Sequence, residues 1–352
     1  MKDFYKNRAP LEKEIMRIIS SAKVFSKSSH VWSKDAFDRL EEFVLAGKLI
    51  RGLLVVFAAE PKTKNQLMDA VKIGGMLEIM HTGILIHDDI MDRDQQRRGI
   101  PTVHTQYEKS LNSLDKNERL HYGESMASCV GIVAYFLAMN QFADIKNQKA
   151  SAKLISLFSS EMAVLGLAQM DDVDSSINKR HINKKAILRI YEQKTGRYTF
   201  ALPLMAGLIL QNKLNSRTAK VVYQLAKSLG IIFQLKDDCL GVFGNSAQTG
   251  KSVGGDIREK KQTWLYFELL KKCSSVEAGL LRKLYNGHAA ISNAQQAKVL
   301  DLLHRYKIEE LANKEIVKHQ KIVVKDIDKL PFSKLSKQGL IDLTEYLVTR
   351  QK

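Results

Sequence analysis

The sequence predicts an all-α protein of ten or more helices in one domain over residues 1–352. Three observations carry that prediction. Apolar residues recur at helical spacing in nearly every segment, as in Leu67, Val71, Gly74, Leu77 and His81, or Leu154, Leu157, Phe158, Met162 and Leu165, or Val221, Val222, Leu225, Leu229 and Ile232. Alternating, strand-like patterns are scarce. Polar breaks fall near Pro61–Asn65, Arg93–Pro101, Asn112–Asn117, Asp171–Lys185, Gln211–Arg217, Gly244–Gln262 and Asn286–Asn293, where helices are expected to stop. Length alone suggests two domains, but five prolines and no Ser/Pro-rich linker favour one.

The first element with chemical content is Gly47-Lys48-Leu49-Ile50-Arg51. Lys48 and Arg51 are expected on one helical face ahead of the apolar run Leu53–Ala59. A Lys/Arg pair alone is usually surface, but with His81 and Arg98 it can form an anion pocket without metal ligands. Such a pocket suits a phosphorylated substrate that must not ionise.

The second is Asp88-Asp89-Ile90-Met91-Asp92. Residues four apart share a helical face, so Asp88 and Asp92 point the same way, at the end of an apolar stretch containing Ile79, Met80, Ile84, Leu85 and Ile86. Uncompensated buried carboxylates are costly; loaded with a hard divalent cation they form a site, and magnesium combines one or two carboxylates with substrate phosphates. Arg97 and Arg98 follow in the next loop, able to pair with these carboxylates or to grip phosphate. Next, Lys194-Thr195-Gly196-Arg197 places glycine in a helical stretch, at about 1 kcal/mol against alanine. A kink there would turn Lys194 and the Thr195 hydroxyl inward. A second acidic cluster, Asp237-Asp238-Cys239-Leu240-Gly241, follows Phe233-Gln234. Two such helices facing across a cavity would hold a metal cluster bridged by a diphosphate. Gly244–Thr263, with four glycines, Lys251 and Lys261, reads as a lid that closes over phosphate. Asp171, Asp172 and Asp174 lack the four-residue spacing and are expected to end a helix.

Bulk properties exclude other classes. A net charge of +17 suggests nucleic acid, yet no reader motif or aromatic-interleaved basic patch supports it; the Lys-rich stretch Lys314–Lys337 reads as solvated surface. No nucleic-acid partner is expected. The longest apolar runs, Cys129–Met139 and Ala201–Leu210, fall short of the roughly 20 residues of a membrane span, so no transmembrane segment is expected; loose contact with anionic lipid stays open. Three cysteines without ligand spacing read as free thiols in a reducing cytoplasm, and missing targeting signals point to cytoplasmic placement.

Together these residues resemble the trans-prenyl diphosphate synthases of the polyprenyl synthetase family, and within it the geranylgeranyl diphosphate synthases. GKxxR, H…HDDxxD…RRGxPTxH, KTG, FQxxDD and GKxxGxDxxxxKxT occur in the family's order between about residues 47 and 263, with C-terminal helices over 264–352. The resemblance implies an all-α helical bundle around a central cavity (the isoprenoid synthase type), a homodimer, and about three Mg2+ ions per site. It implies that Asp88, Asp92 and Asp237 are metal ligands supported by Asp89 and Asp238. Arg97, Lys194, Thr195, Gln234, Lys251 and Lys261 match the allylic diphosphate set; Lys48, Arg51, His81 and Arg98 match the isopentenyl diphosphate set. Four departures stand out: Gly52 for a usual proline, Ile132 for an aspartate, Lys260 for a glycine, and Gly241 for the third aspartate of the second motif.

The implied reaction is head-to-tail elongation of an allylic diphosphate by isopentenyl diphosphate. The released diphosphate takes the final proton. Product length is expected to depend on the helix before Asp88. Short-product relatives carry bulky aromatics four or five residues before it; here Ile84 and Gly83 stand there, with Met80 and Met76 further down. That predicts a product longer than farnesyl, geranylgeranyl above all, unless a neighbour such as Phe136 closes the floor. Gly83→Phe should then shorten the product. The alternatives are a class I terpene cyclase, which needs no isopentenyl pocket, and a non-catalytic partner subunit, which would be expected to have lost its aspartates.

Overall fold

A computed structural model describes residues 2–27, 30–111, 113, 115–178, 183–244, 254–287 and 289–350. The fold is all-α. In chain order the helices are α1 (Lys2–Tyr5), α2 (Arg8–Ser26), α3 (Ser33–Leu45), α4 (Ile50–Ala59), α5 (Lys64–Asp92), α6 (Val103–Glu108), α7 (Lys116–Asn140), α8 (Gln148–Asn178), α9 (Lys184–Ile190), a π-helical stretch Tyr191–Ala201, α10 (Leu202–Leu210), α11 (Ser216–Phe243), α12 (Gly255–Arg258), α13 (Trp264–Lys272), α14 (Ser275–Asn286), α15 (Asn293–Arg305), α16 (Ile308–Asp328) and α17 (Lys334–Thr349). Among the described residues the strands are β1 (Gln96–Arg97) and β2 (Ile100–Pro101), a two-residue antiparallel pair.

The chain forms two compact units, Met1–Ser159 with Pro203–Leu214, and Ser160–Leu202 with Asn215–Lys352. In the first, α5 is the central helix, packed by α2, α4 and α7. A capping box starts it: Gln66 N–H donates to Thr63 Oγ1 while the Gln66 side chain accepts from Thr63 N–H, satisfying otherwise orphaned donors. Buried residues then follow almost without a break from Ile73 to Gly83, the pattern of a helix surrounded by protein. In the second unit α11 plays the same part. It starts with an Asn215–Thr218 capping box and packs against the π-helical stretch, α16 and α17.

Two expectations need correction. Lys48 is not helical: Leu49 adopts φ 53°, and α4 starts only at Ile50, so Lys48 lies exposed in the preceding turn. Asp171, Asp172 and Asp174 do not end a helix, because α8 continues to Asn178. Two stretches, Lys116–Asp144 and Gln148–Asp174, are long and apolar enough to span a bilayer by length and composition, a test that core helices also pass. The contiguous apolar runs understate them because isolated polar residues interrupt each helix. The cysteines form no disulfide; Cys129 is exposed, Cys239 buried and Cys273 half-buried.

Candidate active site

The first aspartate motif is built where α5 stops. Arg93 takes a left-handed conformation at φ 58°, and the β1–β2 hairpin carries Arg97 back onto the helix end. Arg97 Nε donates to Asp89, and its Nη2 lies 3.6 Å from Asp88 Oδ2 and 3.4 Å from Asp94 Oδ2. Asp89 is fully buried; its Oδ2 has no hydrogen-bond partner among the described residues. Burial pushes its carboxyl up to about 7, with Arg97 opposing the shift. Asp88 is half-buried and Asp92 exposed. The helix end is also clamped to α7: His87 meets Tyr135 Oη at 2.9 Å and Ser128 O at 3.2 Å. Its ring fills the space over Gly131, where a Cβ would come within 2.6 Å.

The cationic group lies one to two turns earlier on α5. Arg51 Nη1 donates to Nε2 of buried His81 at 2.9 Å. Burial, then the nearby guanidinium groups of Arg51, Arg98 and Arg97, hold His81 well below its ordinary pKa, so the imidazole is neutral and accepts. Arg98 separates from Arg97: its Nη1 donates to Phe43 O at 2.9 Å. Beneath this group sits Glu78, buried, a residue the motifs did not single out. Its Oε1 accepts the Gly52 N–H at 2.7 Å. Burial raises its pKa, opposed by Arg51, the Gly52 amide and Arg98. This explains Gly52 in place of proline: proline has no N–H to give, and a Cβ there would stand 2.7 Å from Gly74 O.

In the second unit the Lys194-Thr195-Gly196 segment lies in the π-helical stretch, a wider turn that often accompanies function. Lys194 Nζ pairs with Asp172 Oδ2 at 2.6 Å, so the aspartate set aside as a helix end partners the expected catalytic lysine. Thr195 is buried. Gly196 is required by close approach: a Cβ would meet Ala226 O at 2.8 Å on α11. On α11, Asp238 is buried and accepts the hydroxyl of Tyr191, whose oxygen in turn accepts Trp264 N–H at 3.2 Å. Burial pushes Asp238 well above its ordinary pKa despite that bond. Asp237 faces outward and pairs with Arg350 Nη2 at 3.0 Å. Gln234 is half-buried.

Lys261 lies 2.7 Å from Glu259 and 3.7 Å from Asp256. Lys251 lies outside the described residues, as do residues 245–253 of the glycine-rich segment. Lys260 occupies a left-handed site at φ 56°, where glycine is the easier residue, and its Nζ donates to Gly287 O and Ala289 O. Gly241 gives room to the Asp256 carboxylate, whose Oδ2 would lie 2.5 Å from a Cβ at 241.

The chain-length residues need the largest correction. Gly83 does not open a floor: it is pressed against α7, where a Cβ would meet Gly131 O at 2.9 Å and Tyr135 Cε1 at 3.0 Å. A phenylalanine there would force α5 from α7 before it shortened any product. Met76 and Met80 are buried and Ile84 half-buried. Phe136 is 72% exposed, so it closes no floor within its unit.

Among the described residues no three His, Cys, Asp or Glu side chains converge on a metal position. The donors of each unit fit a hard divalent cation: Asp88 and Asp92 in the first and Asp237 in the second offer carboxylate oxygens in small numbers, and magnesium takes one or two such ligands with substrate oxygens and water.

The polyprenyl synthetase family model matches residues 34–303, and the chain belongs to that family. It is a prenyltransferase, a member of the prenyl diphosphate synthases. It is 27% identical over 329 residues to the geranylgeranyl diphosphate synthase of Saccharolobus solfataricus, covering 91% of this chain and 92% of that protein. It is also 29% identical over 232 residues to the farnesyl diphosphate synthase of Escherichia coli, covering 63% of this chain and 70% of that protein. The crystal structure of geranylgeranyl pyrophosphate synthase from Corynebacterium glutamicum, complexed with isoprenyl diphosphate and magnesium, superposes with a TM-score of 0.87 at 25% identity, covering 97% of this chain and 98% of that one.

Proposed function

We propose that this chain is a magnesium-dependent trans-prenyl diphosphate synthase joining isopentenyl diphosphate to an allylic diphosphate, with a product of twenty carbons or more, geranylgeranyl diphosphate above all. The observation that carries this reading is half-buried Arg51 bonded to buried His81, with Arg98 and Glu78, a cationic group separate from the carboxylates at the end of α5. A cyclase has no use for such a pocket. Lys48, Arg51, His81 and Arg98 bind the isopentenyl diphosphate, and a neutral His81 accepts from Arg51 and keeps that guanidinium aimed.

Asp88, Asp92 and Asp237 would hold the divalent cations, which when bound would supply positive charge against the leaving diphosphate. Asp89 keeps Arg97 at the helix end, and Asp238 ties the second motif to Tyr191. Lys194, Thr195, Arg97, Gln234, Lys251 and Lys261 bind and orient the allylic diphosphate. Losing one such donor costs about 10²–10³ in rate. The twenty-carbon product is supported by the Saccharolobus relative and by aliphatic Ile84, Met80 and Met76, where an aromatic stop would stand; Gly83 no longer enters that argument.

A homodimer is supported by the apolar face of α7, where Ile132, Val133 and Phe136 are exposed together; Ile132, in place of the family's aspartate, belongs to that face. The chain acts in the cytoplasm.

The test is to incubate the purified chain with magnesium, isopentenyl diphosphate and each allylic primer, then size the products. A product of twenty carbons or more is expected. One stopping at fifteen would remove the chain-length reading alone. Hydrocarbon made without isopentenyl diphosphate would make the chain a cyclase, and a folded but inert protein would favour a partner subunit.

A further inference from the structure

The second aspartate motif carries a cation that no motif predicts. Arg350 follows α17 and serves as its C-terminal cap, its N–H donating to Tyr346 O. Its guanidinium lies over the Phe233 ring, 4.0 Å from the centroid. Nη2 donates to Phe233 O at 2.9 Å and to Asp237 Oδ1 at 3.0 Å. The side chain is 7% exposed, and its Nε is buried with no hydrogen-bond partner among the described residues. A surface arginine meeting an aspartate by chance would not be stacked, carbonyl-bound and desolvated together. Burying a guanidinium is costly unless a carboxylate answers it. Here Asp237, 54% exposed, is that carboxylate.

We propose that Arg350 is a placeholder cation for the second aspartate motif, neutralising Asp237 until a divalent cation takes the carboxylate. This rests on the reading of Asp237 as a metal ligand. A metal ion on Oδ1 would share that oxygen's lone pairs with the guanidinium; one on the other oxygen meets the same like charge held in place by Phe233. In both arrangements Arg350 weakens the motif's hold on metal when no diphosphate is present. Arg350 is thus a positioning residue: it acts on the reaction through Asp237, and Phe233 O keeps it close after the carboxylate is taken.

The test is direct metal binding without substrate. The full chain would be titrated with Mn2+, reading free ion by electron paramagnetic resonance, beside Arg350→Met, Arg350→Lys and Asp237→Asn. Arg350→Met should bind one Mn2+ about fivefold more tightly, the ratio a partly exposed ion pair supports, and Asp237→Asn should lose that ion. Lysine cannot reproduce both the stacking and the forked bonds, so Arg350→Lys should tighten binding about twofold; it carries the test if the methionine variant does not fold. Unchanged or weaker Mn2+ binding in the arginine variants, with the ion still lost in Asp237→Asn, would overturn the placeholder and leave the ligand reading standing. Unchanged binding in Asp237→Asn would overturn both.

Discussion

Asp89 and Asp238 hold the same place in two motifs, each the second of an Asp-Asp pair, each buried at the inner face of a long helix. Their keepers differ. Asp89 meets the guanidinium of Arg97, carried in by a hairpin a few residues later. Asp238 meets the phenol of Tyr191, from the π-helical stretch forty-seven residues earlier. A guanidinium offers charge against a buried carboxylate, and a phenol only a hydrogen bond. Burial raises both, Asp89 to about 7 against Arg97, and Asp238 well above its ordinary value despite the Tyr191 bond, with Asp256 and Asp237 adding to the shift. The buried carboxylate of the first motif is answered by a guanidinium, that of the second by the hydrogen bond of a phenol. The outward-facing carboxylates differ in the same sense. Arg97 serves Asp88 at 3.6 Å, whereas Arg350 meets Asp237 at 3.0 Å.

This comparison can be broken by removing the keepers. Arg97→Met strands a buried carboxylate and should cost about 3–5 kcal/mol of stability, read by urea unfolding of the metal-free protein. Tyr191→Phe removes two hydrogen bonds, the one given to Asp238 and the one accepted from Trp264 N–H, and should cost about 1–3 kcal/mol. Equal losses would mean that the two keepers are equivalent and that charge is not the distinction. Gly52→Pro removes the donor to Glu78, at about 1–2 kcal/mol, and adds a Cβ against Gly74 O, so it should cost more than the lost bond alone; it should also raise the KM for isopentenyl diphosphate more than that for the allylic substrate. A neutral effect would show that Glu78 does not organise the cationic pocket.

The smallest effect sharpens the electrostatic half. Because the folded pKa of Asp89 stands above the ordinary 3.8, protonation stabilises the fold. That contribution is fully present below the unfolded value and is lost as pH rises through about 7. Asp89→Asn should therefore flatten the fall in melting temperature of the metal-free protein between pH 4 and pH 7. An unaltered slope would place the titration elsewhere.

Much of this site is legible in the sequence because its parts are local. Asp88 and Asp92 reach one face by helical spacing, the order of motifs along the chain marks the family, and each of the seven polar breaks falls on a helix boundary. What stayed hidden depends on contacts between distant residues. Glu78 looks like one charged residue in an apolar helix until the Gly52 amide is found against it. Tyr191 reads as core, and Arg350 as the solvated end of a basic chain. Gly83 shows the converse failure: a missing side chain reads as open space in sequence, yet the backbone of α7 occupies it. Lys48 left its expected helical face because one left-handed residue, Leu49, delayed the start of α4, and apolar periodicity does not report a single φ. Asp172 was set aside for lacking the four-residue spacing, although the residue it pairs with is Lys194, far along the chain.

On the proposed function, isopentenyl diphosphate is bound by side chains alone and the allylic diphosphate through divalent cations. Calorimetric binding of isopentenyl diphosphate in excess chelator, for the native chain and Arg51→Met, tests it most directly. The account predicts that binding survives chelation in the native chain, is lost at least tenfold in Arg51→Met, and that an allylic diphosphate analogue needs added magnesium. Loss of isopentenyl diphosphate binding on chelation alone would contradict it.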